Sequence, residues 1–336
     1  MQGDRLIVEN LRQDLRYTFR TLRRDAGFTV FAVLIIGLGI GASSTVFSVL
    51  NTLLVRPLPF KDPSRLVWIA NRTAEENDLS GQTVQVGRLL DLRERNKSFS
   101  DIAGYFAFYG VGDSKLTGNG ESERLSAVPV SQNFFPVLGV QPQLGRLFTA
   151  EECKWNGPKV VLLSHSLWAR RFGADPTIVG KAIRLDDASV TVVGVLPASF
   201  DFGSVFAPGA QIDLYSPFAL SKETDRWGNT LALIGRLKPG VDIQSAQAEA
   251  RVLGENITRE HPNQNGLHPK LTFLAQHISG RVRPALIVLA CSVGVVMLIV
   301  CANLSNLLLA RTATRQKEMS IRTALGAGRW RLIRQL

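Results

Sequence analysis

Two long apolar runs frame a polar middle. Residues 26–55 carry no charged side chain in 30 positions, and residues 284–310 carry none in 27. Each exceeds the roughly 20 apolar residues that an α-helix needs to cross the hydrocarbon core of a bilayer. The pattern predicts transmembrane helices over 28–55 and 284–310, the second opening at Pro284. Between them, in 56–283, apolar positions recur at the mixed periods of an α+β domain. A helix is predicted within Ser80–Asn96 around Leu89, Leu90 and Leu92. The short apolar run Lys159–Leu163 ends at Ser164, a cap for a helix through Phe172. Ala182–Leu196 alternates as a hairpin turning at Asp186 and Asp187, with Val190, Val192, Val193 and Val195 on the return strand. Thr230–Leu237 reads as a strand, Ile243–Arg259 as an amphipathic helix and Lys270–Ala275 as a strand, a βαβ-like unit shortly before the second apolar run. Glycine and proline clusters at Gly110–Gly120 and Phe206–Gly209 mark loops.

The flanks and spans carry their own patterns. In 1–27, Leu11, Leu15, Phe19 and Leu22 share one helical face while Arg12, Arg16 and Arg20 step along another. That is an interfacial helix on anionic lipid, with a solvated basic tail as the alternative. Gly37, Gly41, Ser44 and Ser48 line one face of the first span, where small side chains let a second helix approach. Asn303 and Asn306 lie one turn apart near the end of the second span. Amides in hydrocarbon face a protein neighbour, so an interhelical contact is preferred to a polar solute pathway.

Charge then orients the chain. There are 39 Lys and Arg against 28 Asp and Glu, a formal net charge of +11. The first 27 residues hold six Arg against four acids, and the last 26 hold seven basic residues against Glu318 alone. By subtraction the middle has 26 basic (39 − 6 − 7) and 23 acidic (28 − 4 − 1) side chains. The basic character therefore belongs to the flanks, and the two membrane-length apolar runs set aside a cytosolic, nucleic-acid-binding reading of it. The positive-inside bias places both termini in the cytoplasm and residues 56–283 outside, in an inner (plasma) membrane. The first apolar run is too long for a signal h-region and is preceded by some 27 residues, so it is expected to remain uncleaved. Cys291 and Cys301 lie in the second span, leaving Cys153 alone in the middle with no intrachain disulfide available.

Reactive chemistry is sparse. His165, His261, His268 and His277 are scattered, and no metal-ligand spacing occurs. Ser164 and Ser166 flank His165, but the glycine-flanked turn of a serine nucleophile is missing, so Ser164 is read as a cap. No G-x-x-x-x-G-K-[ST] is present. No catalytic, cofactor or metal site is expected, and any nucleotide hydrolysis belongs to a separate polypeptide.

The tail after the second span, 311–336, is the most informative stretch. Glu318 precedes Arg322 by four residues, the favourable order for a helical pair, and Ile321, Ala324 and Leu325 form an apolar patch. Gly326 is placed to stop the helix and Gly328 permits a turn. Such a short helix suits another protein's groove, and a solvated basic tail is the alternative.

The string Arg315-Gln-Lys-Glu-Met-Ser-Ile-Arg-Thr-Ala-Leu-Gly-Ala327 resembles the R-x-x-E-[IM]-x-[IV]-R-x-A-L-G-A signature of MacB/FtsX-like ABC transporter permeases. The opening, Leu15–Arg24 followed by Gly27-Phe28-Thr29, Leu38-Gly-Ile-Gly-Ala42 and Arg56-Pro-Leu-Pro59, is similar to the duplicated orphan permease branch. Ser131–Gly139, Gly145–Phe148 and Asp175–Lys181 resemble the extracytoplasmic core domain of that superfamily. The resemblance implies α-helical transmembrane spans with an α+β extracytoplasmic domain made of a porter-like lobe and an inserted β-rich lobe. It also implies a separate ABC ATPase docked on Glu318–Ala327, and a homodimer or a pseudo-dimer with a second permease half. The family continues into third and fourth helices, so this chain is expected to be the N-terminal portion of a longer permease.

The reading is a non-catalytic permease subunit that couples a separate ATPase to extracytoplasmic conformational change, in efflux or in mechanical signalling. A two-span receptor with an extracytoplasmic sensing domain is the alternative, and a membrane-anchored hydrolase is disfavoured by the scarcity of reactive residues.

Overall fold

The computed structural model describes residues 23, 26–50, 58–71, 82–108, 114–118, 121–207, 209–261, 266–280 and 283–324. Apart from Arg23, the expected interfacial helix lies outside the described residues, as do Leu325 and Gly326. The chain divides into two units, Pro57–Arg281 and a second made of Met1–Arg56 with Val282–Leu336.

In chain order the described elements begin with α1 (Ala26–Leu50), β1 (Leu66–Asn71), α2 (Val86–Arg95), β2 (Phe99–Phe106), β3 (Ser114–Thr117), β4 (Glu123–Leu125) and β5 (Ala127–Val130). Next come α3 (Phe134–Leu138), β6 (Leu144–Gly145), β7 (Val160–Leu163), α4 (His165–Phe172), β8 (Ala182–Leu185), β9 (Ala188–Val195) and α5 (Phe202–Phe206). The remainder are β10 (Leu214–Pro217), α6 (Lys222–Asp225), β11 (Leu231–Leu237), α7 (Ile243–Glu260), β12 (Pro269–Phe273), α8 (Leu274–Gly280) and α9 (Arg283–Ala324).

All the described strands join one mixed sheet in the order β12-β1-β11-β2-β5-β10-β7-β9-β8-β3-β4, with β6 paired to β9. Its first four strands form a double split βαβ. Strand β11 is antiparallel to both β1 and β2, and β1 is antiparallel to both β11 and β12. So α2 connects the parallel pair β1 and β2 across β11, and α7 connects the parallel pair β11 and β12 across β1. The βαβ-like unit expected near the second span is therefore present, with β1 inserted between its two strands.

Strand β1 shows why both faces of this region are packed. Leu66, Trp68 and Ala70 enter one cluster with Tyr105, Phe134, Phe202 and Ile234. Val67 and Ile69 enter another with Leu89 and Leu92 of α2 and Ala246 and Ala250 of α7. Period-two alternation still sorts the side chains, but because both sides are dry the strand reads as an unbroken apolar run. The aromatic cluster packs edge to face, with Tyr105 at 5.1 Å from Phe202 and 5.8 Å from Phe134 between ring centroids.

Residues 107–230 leave from the end of β2 and return at β11, its neighbour in the sheet. The expectation of an inserted β-rich part is met, with one refinement: β5 bonds to β2 through Tyr105 and Val130, so insertion and host share a single sheet. A third cluster, with Leu125, Leu163, Leu167, Val192 and Val195, packs α4 onto the inserted strands.

The hairpin expected at Ala182–Leu196 forms as β8 and β9, with Leu185 opposite Ala188. Asp186 (φ 49°) and Asp187 (φ 64°) take the left-handed conformation that a two-residue hairpin turn requires, which aspartate tolerates better than most residues. Two expectations are corrected. Ala275 belongs to α8, because the strand ends at Phe273. The stretch Gly110–Gly120 is not only loop, since β3 lies within it, buries Leu116 and pairs with β4 and β8.

Candidate functional site

Those expected site residues that the structure describes lie on the two apolar helices. Helix α1 is uncharged along its 25 residues, about 37 Å at 1.5 Å per residue. Helix α9 runs for 42 residues, and within it Pro284–Asn306 is long and apolar enough to cross a membrane. Val33–Ser48 of α1 is a shorter apolar stretch among the described residues. Hydroxyls within these helices bond back to their own backbone: Thr45 Oγ1 donates to the Gly41 carbonyl and Ser292 Oγ to the Val288 carbonyl, both at 2.9 Å. No free hydroxyl donor is thereby presented to an apolar medium at those two positions.

The glycine stripe and the intrachain contact are on different faces. A Cβ added at Gly39 would lie 3.1 Å from Met297 Sδ and 3.6 Å from Val300 Cγ2, so α1 and α9 approach through Gly39. At Gly37 and Gly41 the same addition meets nothing within 4 Å, and Ser44 and Ser48 are exposed like them. Asn303 and Asn306 are likewise exposed. Gly37 and Gly41 are thus not the glycines through which α1 meets α9. Sequence reasoning missed Gly39 because Leu38-Gly-Ile-Gly-Ala42 offers small residues on two faces, and spacing does not say which one a neighbour takes.

The coupling segment is the C-terminal part of α9. A separate short helix was expected after residue 310, yet the backbone stays helical through Ala324. The reason is compositional: 311–324 contains neither glycine nor proline, so nothing interrupts the ladder before Gly326. Glu318, Ile321, Arg322 and Ala324 therefore sit on a helix continuous with the apolar stretch.

In the unit Pro57–Arg281, Ser164 is a helix cap. Its Oγ accepts from the Leu167 backbone N–H at 3.2 Å and lies 3.0 Å from Ser166 Oγ. The His165 ring pairs with Gln143 Oε1 through Nδ1 at 3.1 Å and packs on Trp168, so the imidazole is engaged away from that hydroxyl. Cys153 sits beside an ion pair in which Arg146 holds Glu152 through two nitrogens, at 2.9 and 2.6 Å. Those hydrogen bonds hold the Glu152 carboxyl below its ordinary range. Burial, with the Glu152 charge adding to it, pushes the Cys153 thiol up to about 11 and leaves it protonated and unreactive near neutrality. Among the described residues no cluster of His, Cys, Asp and Glu could hold a metal ion.

Residues 29–253 match the family of MacB-like periplasmic core domains. The chain belongs to that family. The MacB/FtsX-like permease resemblance carried by the sequence motifs is confirmed by it. The macrolide export ATP-binding/permease protein MacB of Hahella chejuensis is 27% identical over 212 residues, covering 61% of this chain and 31% of the relative. The probable syringafactin export ATP-binding/permease protein SyfD of Pseudomonas syringae pv. tomato is 23% identical over 199 residues, covering 59% of this chain and 29% of the relative. The crystal structure of the periplasmic region of MacB from Actinobacillus actinomycetemcomitans aligns with a TM-score of 0.48 at 16% identity, covering 69% of this chain and 98% of that one. The chain spans about a third of the length of the curated relatives it matches. In this MacB-like chain the matched residues take in most of α1 and the core domain as far as α7, while the coupling segment lies beyond the match.

Proposed function

We propose that this MacB-like chain is the non-catalytic permease part of an ABC system, anchored in the inner membrane by α1 and α9 with residues 56–283 outside and both termini in the cytoplasm. The observation that carries the proposal is the continuity of α9 from Arg283 to Ala324, a single helix that includes an apolar stretch long enough to span a membrane. It ends in the segment bearing Glu318, Ile321, Arg322 and Ala324. Residues 307–324 extend the helix by about 27 Å past the apolar stretch, so a displacement at its cytoplasmic end is transmitted along a rigid rod. The core domain is then the load that the rod moves, in efflux or in mechanical signalling. Export named in the relatives favours extrusion of an apolar or peptide-like substrate. Nucleotide hydrolysis is assigned to a separate ABC ATPase, as the sequence resemblance implies. The exposed stripe of Gly37, Gly41, Ser44 and Ser48 supports close helix pairing with a second copy or a second permease half.

Ala324→Asp tests the coupling in the full-length permease in its native membrane. An unpaired charge in a buried contact costs about 3–5 kcal/mol, and next to nothing on a solvated tail. The expected outcome is loss of co-purification with the ATPase and loss of stimulated hydrolysis, with membrane insertion intact. Gly326→Pro, which removes a donor and forbids positive φ, is expected to act in the same direction. Full retention of binding by Ala324→Asp would favour the two-span receptor instead. Reporter fusions after Arg24 and Leu336 should behave as cytoplasmic and one near Gly157 as exported; an exported C-terminal reporter would overturn the topology.

A further inference from the structure

The inserted part of the sheet holds a cleft that the coupling mechanism does not use. Its floor is the face of β5 and β10 on which Pro129 lies opposite Ser216 in a parallel register. Short side chains there keep the floor low, and segments around Trp155 and Trp227 form the walls of a cavity of about 610 Å³. That volume lies within the range of about 300–1,000 Å³ typical of small-molecule sites.

The aromatic side chains in the cleft are arranged as a corner. Trp155 and Trp227 meet edge to face at 6.0 Å, and Phe218 meets Trp227 at 5.9 Å. Both indoles remain substantially exposed, Trp155 at 44% and Trp227 at 53%, unlike the buried aromatic core behind the sheet. Two tryptophans exposed side by side leave apolar area in water that a ligand would cover, and their ring planes give it a defined place to lie.

Most charges of the cleft are already engaged. Glu152 is taken up by Arg146 and by the Thr149 N–H, and Lys154 is paired with Glu151 at 2.6 Å. Asp186 makes no ion pair among the described residues and keeps its charge, with its Oδ1 held at the hairpin turn by the Lys115 N–H at 2.7 Å. Lys159 is exposed at the cleft and makes no ion pair among the described residues. It is the basic group left to meet an acid.

We propose that this cleft binds a small anionic amphiphile, whose apolar body packs against Trp155 and Trp227 and whose carboxylate or other acidic head is met by Lys159. Such binding requires neither an ATPase nor the coupling segment of α9.

The test uses the full chain in lipid nanodiscs, titrated with undecanoate carrying a terminal bromine, which quenches nearby indole fluorescence. Saturable quenching is expected, with affinity reduced about tenfold in Trp155→Ala and in Trp227→Ala, the scale of losing one aromatic anchor. Trp227→Phe should retain part of the affinity. Lys159→Glu should weaken the acid while leaving bromoundecanol unchanged. Non-saturating quenching that survives in the Trp155→Ala/Trp227→Ala double variant would mean partition into the lipid only and would overturn the site. Equal affinity for the acid and the alcohol would overturn its preference for an anion.

Discussion

Gly39 of α1 faces Met297 of α9 so closely that a methyl group in place of the glycine hydrogen would sit 3.1 Å from the sulfur. The two apolar helices of this MacB-like chain therefore meet through a position outside the small-residue stripe of Gly37 and Gly41. A flexible thioether can yield to alanine, but not to a branched side chain. Gly39→Ile is expected to weaken α1–α9 association by about 1–3 kcal/mol, the usual scale of overpacking. Gly37→Ile with Gly41→Ile should leave that pair intact and weaken self-association of α1 by about 1 kcal/mol. A membrane two-hybrid assay on each helix pair separates the two effects, and the reverse pattern would refute the assignment of faces.

Gly254 of α7 offers a case where helix propensity and packing disagree. Alanine would improve the intrinsic preference by about 1 kcal/mol. Its Cβ, however, would collide with the Leu267 carbonyl oxygen and lie 2.6 Å from Pro269 Cδ, at the start of β12. Packing wins, because the oxygen it meets is backbone. Gly254→Ala should destabilise the core domain by about 1–3 kcal/mol in urea unfolding. A stabilised variant would mean that α7 and β12 are farther apart.

Ser164 divides a structural role from a catalytic one. As the cap of α4, its replacement by alanine should cost about 1 kcal/mol of stability. Coupled transport or signalling by the full-length protein should be unaffected at temperatures where the variant is folded. Loss of activity with stability unchanged would return Ser164 to the chemistry its neighbour His165 superficially suggests.

The pair Arg146 and Glu152 predicts a pH dependence. The Glu152 carboxyl titrates below its ordinary 4.5 in the folded chain, chiefly through its hydrogen bonds from Arg146. A lowered carboxyl pKa contributes stability that is present above the unfolded value and is lost as pH falls through the folded one. Melting temperature should therefore drop between pH 5 and more acidic values, and Glu152→Gln should remove that part of the slope while costing about 1–2 kcal/mol at neutrality. An unchanged acid slope in the variant would assign the effect to other groups.

The sequence by itself determined the order of segments, because each rests on a local signal. An uncharged run identifies a candidate span wherever it lies, Ser164 and the turn at Asp186-Asp187 act within a few residues, and the α7 amphipathy needs only its own period. The motif Arg315–Ala327 was legible for the same reason, since it is one contiguous string. Long-range partners were not. Strands β1 and β2 carry no clean alternation because both faces are buried, so nothing in them announced a strand between β11 and β12 or an insertion fused to the host sheet through Tyr105 and Val130. Gly39 was chosen over Gly37 and Gly41 by the position of Met297, more than two hundred residues later in the chain. The cleft at Trp155 and Trp227 likewise exists only because two loops distant in sequence meet over β5 and β10. Spacing records what a residue can face along its own helix or strand. Which of those faces is covered is decided by the rest of the fold.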